Sequence, residues 1–135
     1  MYSNYILERF QNPKFAGGLR GANGTGKVGN DECGDIIKIY ILVDDAGIVT
    51  SAKFKAYGGV CTIVACDEAC ELLIGKTLED ALRISNNDIL EKMGNIPSTK
   101  EYTASLAEEA IKNAVEDYYK KKEKEERKQL ENNWS

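Results

Sequence analysis

The chain is 135 residues long, enough for one domain with a single core, and 42% of its residues are hydrophobic. Its formal net charge of −4 argues against a nucleic-acid binder, and no apolar run approaches the roughly 20 residues that span a bilayer. There is no histidine, which excludes mixed Cys/His zinc fingers, Ser-His triads and Cys-His nucleophiles.

Met1-Tyr2-Ser3-Asn4 lacks the basic start and apolar stretch of a signal peptide, so the expected compartment is the cytoplasm. In a reducing compartment Cys33, Cys61, Cys66 and Cys70 read as ligands, redox groups or buried thiols before disulfides. The segment from Tyr5 to Phe10 has the apolar spacing of a short amphipathic helix, stopped at Asn12-Pro13. Gly17 to Gly29 is rich in glycine, but it does not follow a strand and open a helix, so a phosphate loop is a poor reading. A loop leading into a weak edge strand, Thr25 to Asn30, fits better.

Cys33-Gly34-Asp35 precedes the strongest strand, in which Ile37, Ile39, Ile41 and Val43 form a wholly apolar face. Asp44-Asp45-Ala46-Gly47 makes the turn, and the return strand places Ile48, Thr50, Ala52, Phe54 and Ala56 on one face. An antiparallel hairpin comes back to where it began, so Cys33 and Cys61 are expected together at one end of the sheet. Gly58-Gly59 then turns the chain into a helix starting near Val60 and ending at Gly75. Ile63, Cys66, Cys70, Leu73 and Ile74 share its apolar stripe, with Asp67, Glu68 and Glu71 off it. Cys61 falls in the first turn, where a helix N-terminus biases a thiol toward thiolate.

The remainder reads as helical. Thr77-x-x-Asp80, Ser85-x-x-Asp88 and Ser98-x-x-Glu101 resemble capping boxes, and Gly94 is a stop signal. Leu106, Ala107, Ala110, Ile111, Ala114, Val115 and Tyr118 make one core-facing stripe. Lys120 to Lys128 is a mixed-charge run, so residues 120–135 are expected to be a charged helix end and tail. There is no internal repeat; residues 1–135 read as a single domain.

Several fragments, taken in order and spacing, resemble the U-type iron–sulfur cluster scaffolds, the IscU/NifU N-terminal domain family. They are Asn12-Pro13, Val28-Gly29 followed by Cys33-Gly34-Asp35, Lys53-Phe54-Lys55-x-Tyr57-Gly58, Gly75-Lys76, and Leu106-Ala107 with Ala110. The resemblance runs from about Tyr5 to Tyr119 and implies an α+β fold, a three-stranded antiparallel sheet packed against helices. It implies a scaffold or carrier rather than an enzyme. Such a protein receives sulfur from a cysteine desulfurase, assembles an iron–sulfur cluster and passes it to acceptor proteins. Cys33 and Asp35 match the first family cysteine and the aspartate, and Lys100 the family lysine. The second family cysteine falls on Gly59, the third on Thr103 and the histidine before it on Tyr102. The segment read by a specialised chaperone appears as Pro97-Ser98-Thr99-Lys100.

The expected cluster-binding residues are therefore Cys33, Asp35 and Cys61, with Cys66 joining if the first helical turn is irregular. Cys66 and Cys70 lie on the apolar stripe, where free cysteine is more often core than ligand. Their four-residue spacing would still let both grip one metal. Cys70 lies roughly 13 Å beyond Cys61 along the helix, too far to share one small site with it. Two protomers each giving Cys33 and Cys61 would supply the four thiolates of a [2Fe–2S] or [4Fe–4S] cluster, so a homodimer is one arrangement. The main alternative is a zinc-binding or regulatory protein that docks on the desulfurase without building clusters. A thiol redox enzyme is disfavoured by the lack of a Cys-x-x-Cys pair.

Overall fold

A computed structural model describes residues 2–29 and 34–134. Cys33 lies outside the described residues. The elements, in chain order, are helix α1 (Asn4–Gln11), strands β1 (Gly24–Gly29), β2 (Ile36–Val43) and β3 (Val49–Tyr57), and helices α2 (Val60–Leu73), α3 (Leu78–Ala81), α4 (Asn86–Met93) and α5 (Tyr102–Trp134). The three strands form one antiparallel sheet in the order β1-β2-β3.

The alternation in β2 does what period two requires: Ile37, Ile39, Ile41 and Val43 are all buried on the helix-covered face. Against that face α5 packs on β1 and β2, and α2 on β3. Alanines let α5 come close. A side chain at Gly26 would run into the backbone of Ala110, and one at Gly24 into Ala114 and Ile41. Glycine in this edge strand is thus a packing requirement rather than a turn signal.

In β3 the expected face changes partway along. Leu42 pairs with Ser51 but Val43 pairs with Val49, so Thr50 is an extra residue on the β3 side of the ladder. This bulge buries Val49 and turns Thr50 outward, where its hydroxyl donates to the Leu42 carbonyl at 3.2 Å. Ala52 and Phe54 remain buried as expected. The outer edge of β3 is covered by the segment after α1: Phe54 N donates to Phe15 O at 2.9 Å and Gly17 N to Phe54 O at 2.8 Å.

Helix α2 departs most from its expected pattern. Asp67 and Glu68, placed off the apolar stripe by spacing, are completely buried, whereas Ile74 is 37% exposed. The reason is that α1, β3, α4 and α5 all pack around α2, leaving it little solvent-facing side. Arg9, brought in by α1, compensates the buried carboxylates. Its guanidinium pairs with Asp67 at 2.6 Å, with Glu68, and with Glu71 at 3.4 Å. Tyr5 donates to Glu68 Oε1 at 2.7 Å, and the amides of Lys14 and Phe15 donate to Asp67 at 3.2 and 2.7 Å. Burial pushes the Glu68 carboxyl up, and its Oε2 has no hydrogen-bond partner among the described residues. On the other flank the ammonium of Lys92 on α4 reaches Glu71 at 2.5 Å and holds that carboxyl below its ordinary range.

The caps follow the sequence with one exception. Ser85 and Asp88 make a full capping box, Thr77 accepts from Asp80 N, and α4 ends at Gly94 with φ +78°. Ser98 to Lys100 instead forms a short 3₁₀ turn with no side-chain cap, and α5 begins at Tyr102. Beyond Tyr118 the helix continues to Trp134 with its described side chains exposed. No helix among the described residues is long and apolar enough to cross a membrane.

Candidate functional site

The hairpin geometry builds one end of the molecule. Ile36 opens β2 and pairs with Tyr57, the last residue of β3, so Asp35 and Gly58 extend past the sheet side by side. A β-carbon at Gly58 would overlap Asp35 Oδ1, so a larger residue there displaces a side chain of the site. Gly59 caps α2 with extended backbone, which places Cys61 and Thr62 in the first turn.

Asp35 is 8% exposed, and both its oxygens are occupied. The Thr62 hydroxyl donates to Oδ1 at 2.7 Å and the Tyr102 hydroxyl to Oδ2 at 2.9 Å. Tyr102 itself is 46% exposed, so this end stays open to water. Its phenol is pushed up, first by the hydrogen bond to Asp35, then by burial and by the neighbouring Asp35, Cys61 and Tyr2 charges. Cys61 is buried, hydrogen-bonded to the Tyr2 hydroxyl, and within reach of the Lys100 charge. Burial outweighs the Tyr2 hydrogen bond and Lys100, and its thiol sits above the ordinary value. That runs against the expected bias toward thiolate, because desolvation disfavours the charged form.

Asp35 and Cys61 are thus brought to the same end, while the expected pairing of Cys33 with Cys61 falls on a residue outside the described ones. Cys66 and Cys70 are fully buried in the core with Val64 and Leu73. Burial raises both thiols, helped for Cys66 by Asp67 and Asp35 and for Cys70 by Cys66 and Asp67. A metal ligand must shed its proton, and burial opposes that loss at both of these thiols. Among the described residues, no three Cys, Asp or Glu side chains are grouped so as to hold a metal ion.

Three hydroxyls at this end escaped the sequence reading. Tyr102 was legible only as the occupant of the family histidine position. Thr62 follows Cys61 directly yet turns toward β2, and nothing near Tyr2 in sequence signals that it packs half-buried beside Cys61.

Comparison with known proteins places these features. Residues 1–125 match the NifU-like N terminal domain family. The iron–sulfur cluster assembly scaffold protein IscU of Azotobacter vinelandii is 40% identical over 124 residues, covering 90% of this chain and 96% of the relative. IscU of Escherichia coli strain K12 is 38% identical over 125 residues, covering 90% and 97%. IscU 1 of Archaeoglobus fulgidus is 39% identical over 121 residues, covering 90% and 78%. Among solved structures, a putative iron–sulfur cluster assembly scaffold for the SUF system from Fervidobacterium islandicum AW-1 superposes with a TM-score of 0.68 at 22% identity, covering 84% and 96%. The N-terminal part of a NifU-like protein from Brucella abortus gives 0.65 at 18% identity, covering 87% and 94%. At these identities the two structures speak for the fold alone, and they agree with the three-stranded sheet and its helices.

Proposed function

This chain belongs to the NifU-like N-terminal domain family, and from that membership we propose that it is a scaffold for iron–sulfur cluster assembly, a carrier rather than an enzyme. The observation that carries the reading is the meeting of Asp35 and Cys61 at the open end of the sheet, in a chain about 40% identical to IscU scaffolds. Cys61, with Cys33, accepts sulfur from a cysteine desulfurase. The Cys61 thiol first gives its proton to water. The thiolate then attacks the outer sulfur of the desulfurase persulfide, forming a persulfide on Cys61 and releasing the desulfurase thiolate. The nearby Lys100 charge favours the thiolate against the burial that opposes it. Cys33, Asp35 and Cys61 hold iron and the nascent cluster, which passes to acceptor proteins in the cytoplasm. Two protomers joined at this end would supply four thiolates.

A second reading, a zinc-binding or regulatory protein that docks on the desulfurase without building clusters, is favoured by two features. Both Asp35 oxygens are already held by hydroxyls, and Gly59 and Thr103 stand where the family has cysteines.

Metal and acid-labile sulfide analysis of protein purified without oxygen, and again after reconstitution with a desulfurase, decides between them. The scaffold gives a brown protein holding iron and sulfide. Cys33→Ser and Cys61→Ser then lose most of both, while Cys70→Ser keeps them. A colourless zinc protein that retains no sulfide overturns the scaffold in favour of the second reading.

A further inference from the structure

The face of the sheet turned away from the helices has a charge pattern unlike the rest of the chain. Its three strands carry Lys27, Lys38, Lys53 and Lys55 and not one acidic residue, in a chain whose formal net charge is −4. The register sets Lys27 opposite Lys38 and Lys38 opposite Lys55, so three exposed lysines form one row straight across β1, β2 and β3. Side chains directly opposite across strands stand about 4.5–5.5 Å apart at Cβ, and like charges there are destabilising. Among the described residues none of the four lysines has an ion-pair partner. Protection of a sheet edge explains lysine on β1 but not Lys38 in the central strand.

Toward the open end the same face becomes apolar. Ile36 pairs with Tyr57 next along from the Lys38–Lys55 pair, and Tyr57 is 78% exposed. With Ala56 these four residues border a shallow hollow of about 310 Å³. An exposed aromatic beside a hollow, set in a field of one charge, gives a protein partner both an anchor point and a polar rim.

We propose that this outer face is a docking surface for an acidic segment of a partner protein, its carboxylates over the lysine row and an apolar side chain in the hollow beside Tyr57. The surface goes beyond the scaffold reading and needs no metal or cluster to bind. Charge complementarity selects the occupant, because carboxylates relieve the repulsion within the row. A nucleic acid or an anionic bilayer extends well past a row three strands, about 10 Å, wide and meets the chain's net negative charge, whereas a short acidic segment does not.

The test uses the whole metal-free chain and a synthetic peptide of about 15 residues, rich in Glu and Asp with one central Trp, followed by titration calorimetry. Binding is expected at about 50 mM NaCl and is expected to weaken about tenfold or more at about 500 mM. Lys38→Glu with Lys55→Glu is expected to weaken it about tenfold or more. Lys124→Glu with Lys128→Glu, the same charge change on the exposed end of α5, leaves it within about twofold. Lys38→Glu alone puts a carboxylate between two lysines, so its urea midpoint is expected to hold or rise while binding falls, which separates docking from folding. Replacing the peptide's Trp by Ala is expected to cost about fivefold against wild type and nothing against Tyr57→Ser. The docking surface is overturned if the peptide does not bind, if the α5 variants weaken binding as much as the sheet variants, or if the Trp costs the same in Tyr57→Ser. Tighter binding to a single-stranded DNA of about 20 nucleotides, or to vesicles of phosphatidylglycerol and phosphatidylcholine, overturns the acidic segment as the occupant. No cluster, sulfide or desulfurase is present, so this result and the fate of the scaffold reading are decided separately.

Discussion

Asp35 shows how much of this site is settled by single atoms. Its two oxygens are shared between a threonine in the first turn of α2 and a tyrosine at the start of α5, across a backbone with no side chain at Gly58. An added methyl at Gly58 would overlap Asp35 Oδ1 and stand 3.0 Å from two atoms of Thr62. Gly58→Ala therefore forces Asp35 or Thr62 out of place. A loss of about 1–3 kcal/mol in urea unfolding is expected, the usual cost of overpacking. Iron uptake should fall with it, because the carboxylate loses its fixed direction. Unchanged stability and unchanged iron binding would show that the carboxylate is not held by this packing. Cys61 teaches a related lesson: its position in the first turn was legible, but its acidity was not. The thiol is buried at an end where Tyr2 acts on it, which local sequence does not reveal.

Among the elements, β2 and its hairpin are written locally, since four alternating residues and an Asp-Asp-Ala-Gly turn suffice to set both faces. The same is true of α4, whose Ser85–Asp88 box and Gly94 stop appear where the sequence puts them. The Thr50 bulge is different. A period-two pattern cannot announce that one residue goes unpaired, and Val49 and Thr50 exchange places as a result. Helix α2 hides more, because Asp67 and Glu68 look solvent-facing until Arg9, 58 positions from Asp67, arrives to neutralise them. Tyr102 is as remote from Asp35, 67 positions away, so half of the candidate site could not be read from neighbours in the chain. The Arg9 pairing yields a sharp expectation. Arg9→Leu leaves two completely buried carboxylates without their cation, which typically costs about 3–5 kcal/mol. Urea midpoints should drop accordingly, and Cys61 should become more reactive toward thiol reagents as α1 and Tyr2 loosen. A change below about 1 kcal/mol would mean that α1 is held by its apolar side alone.

The whole molecule divides into a packed body and an exposed helical extension. The buried stripe of α5 ends at Tyr118, while Lys121, Lys122 and Glu125 still border a shallow hollow with Asn23, Asp44 and Asp45. Deleting residues 126–134 should therefore lower the helical circular dichroism but leave stability within about 0.5 kcal/mol, as for surface changes generally. A larger loss would place the extension in the folded body. The body itself carries a pH dependence on the alkaline side. Burial holds the Cys66 and Cys70 thiols above their ordinary values, so in the folded chain both keep their protons well past the point where exposed thiols lose theirs. Above about pH 8.5 the unfolded chain binds fewer protons than the folded one, and stability must fall as pH rises. The slope is at most about 1.4 kcal/mol per thiol per pH unit. Tyr2, Tyr5 and Tyr102, all raised, add a loss of the same sign nearer pH 10. Urea unfolding of metal-free, reduced protein at pH 7.5, 8.5 and 9.5 should show the decline, and a Cys66→Ala, Cys70→Ala double variant should show a flatter one from a lower start. If both proteins lose stability in parallel, the alkaline transition belongs to the tyrosines and Cys61, and the two core thiols are not its source.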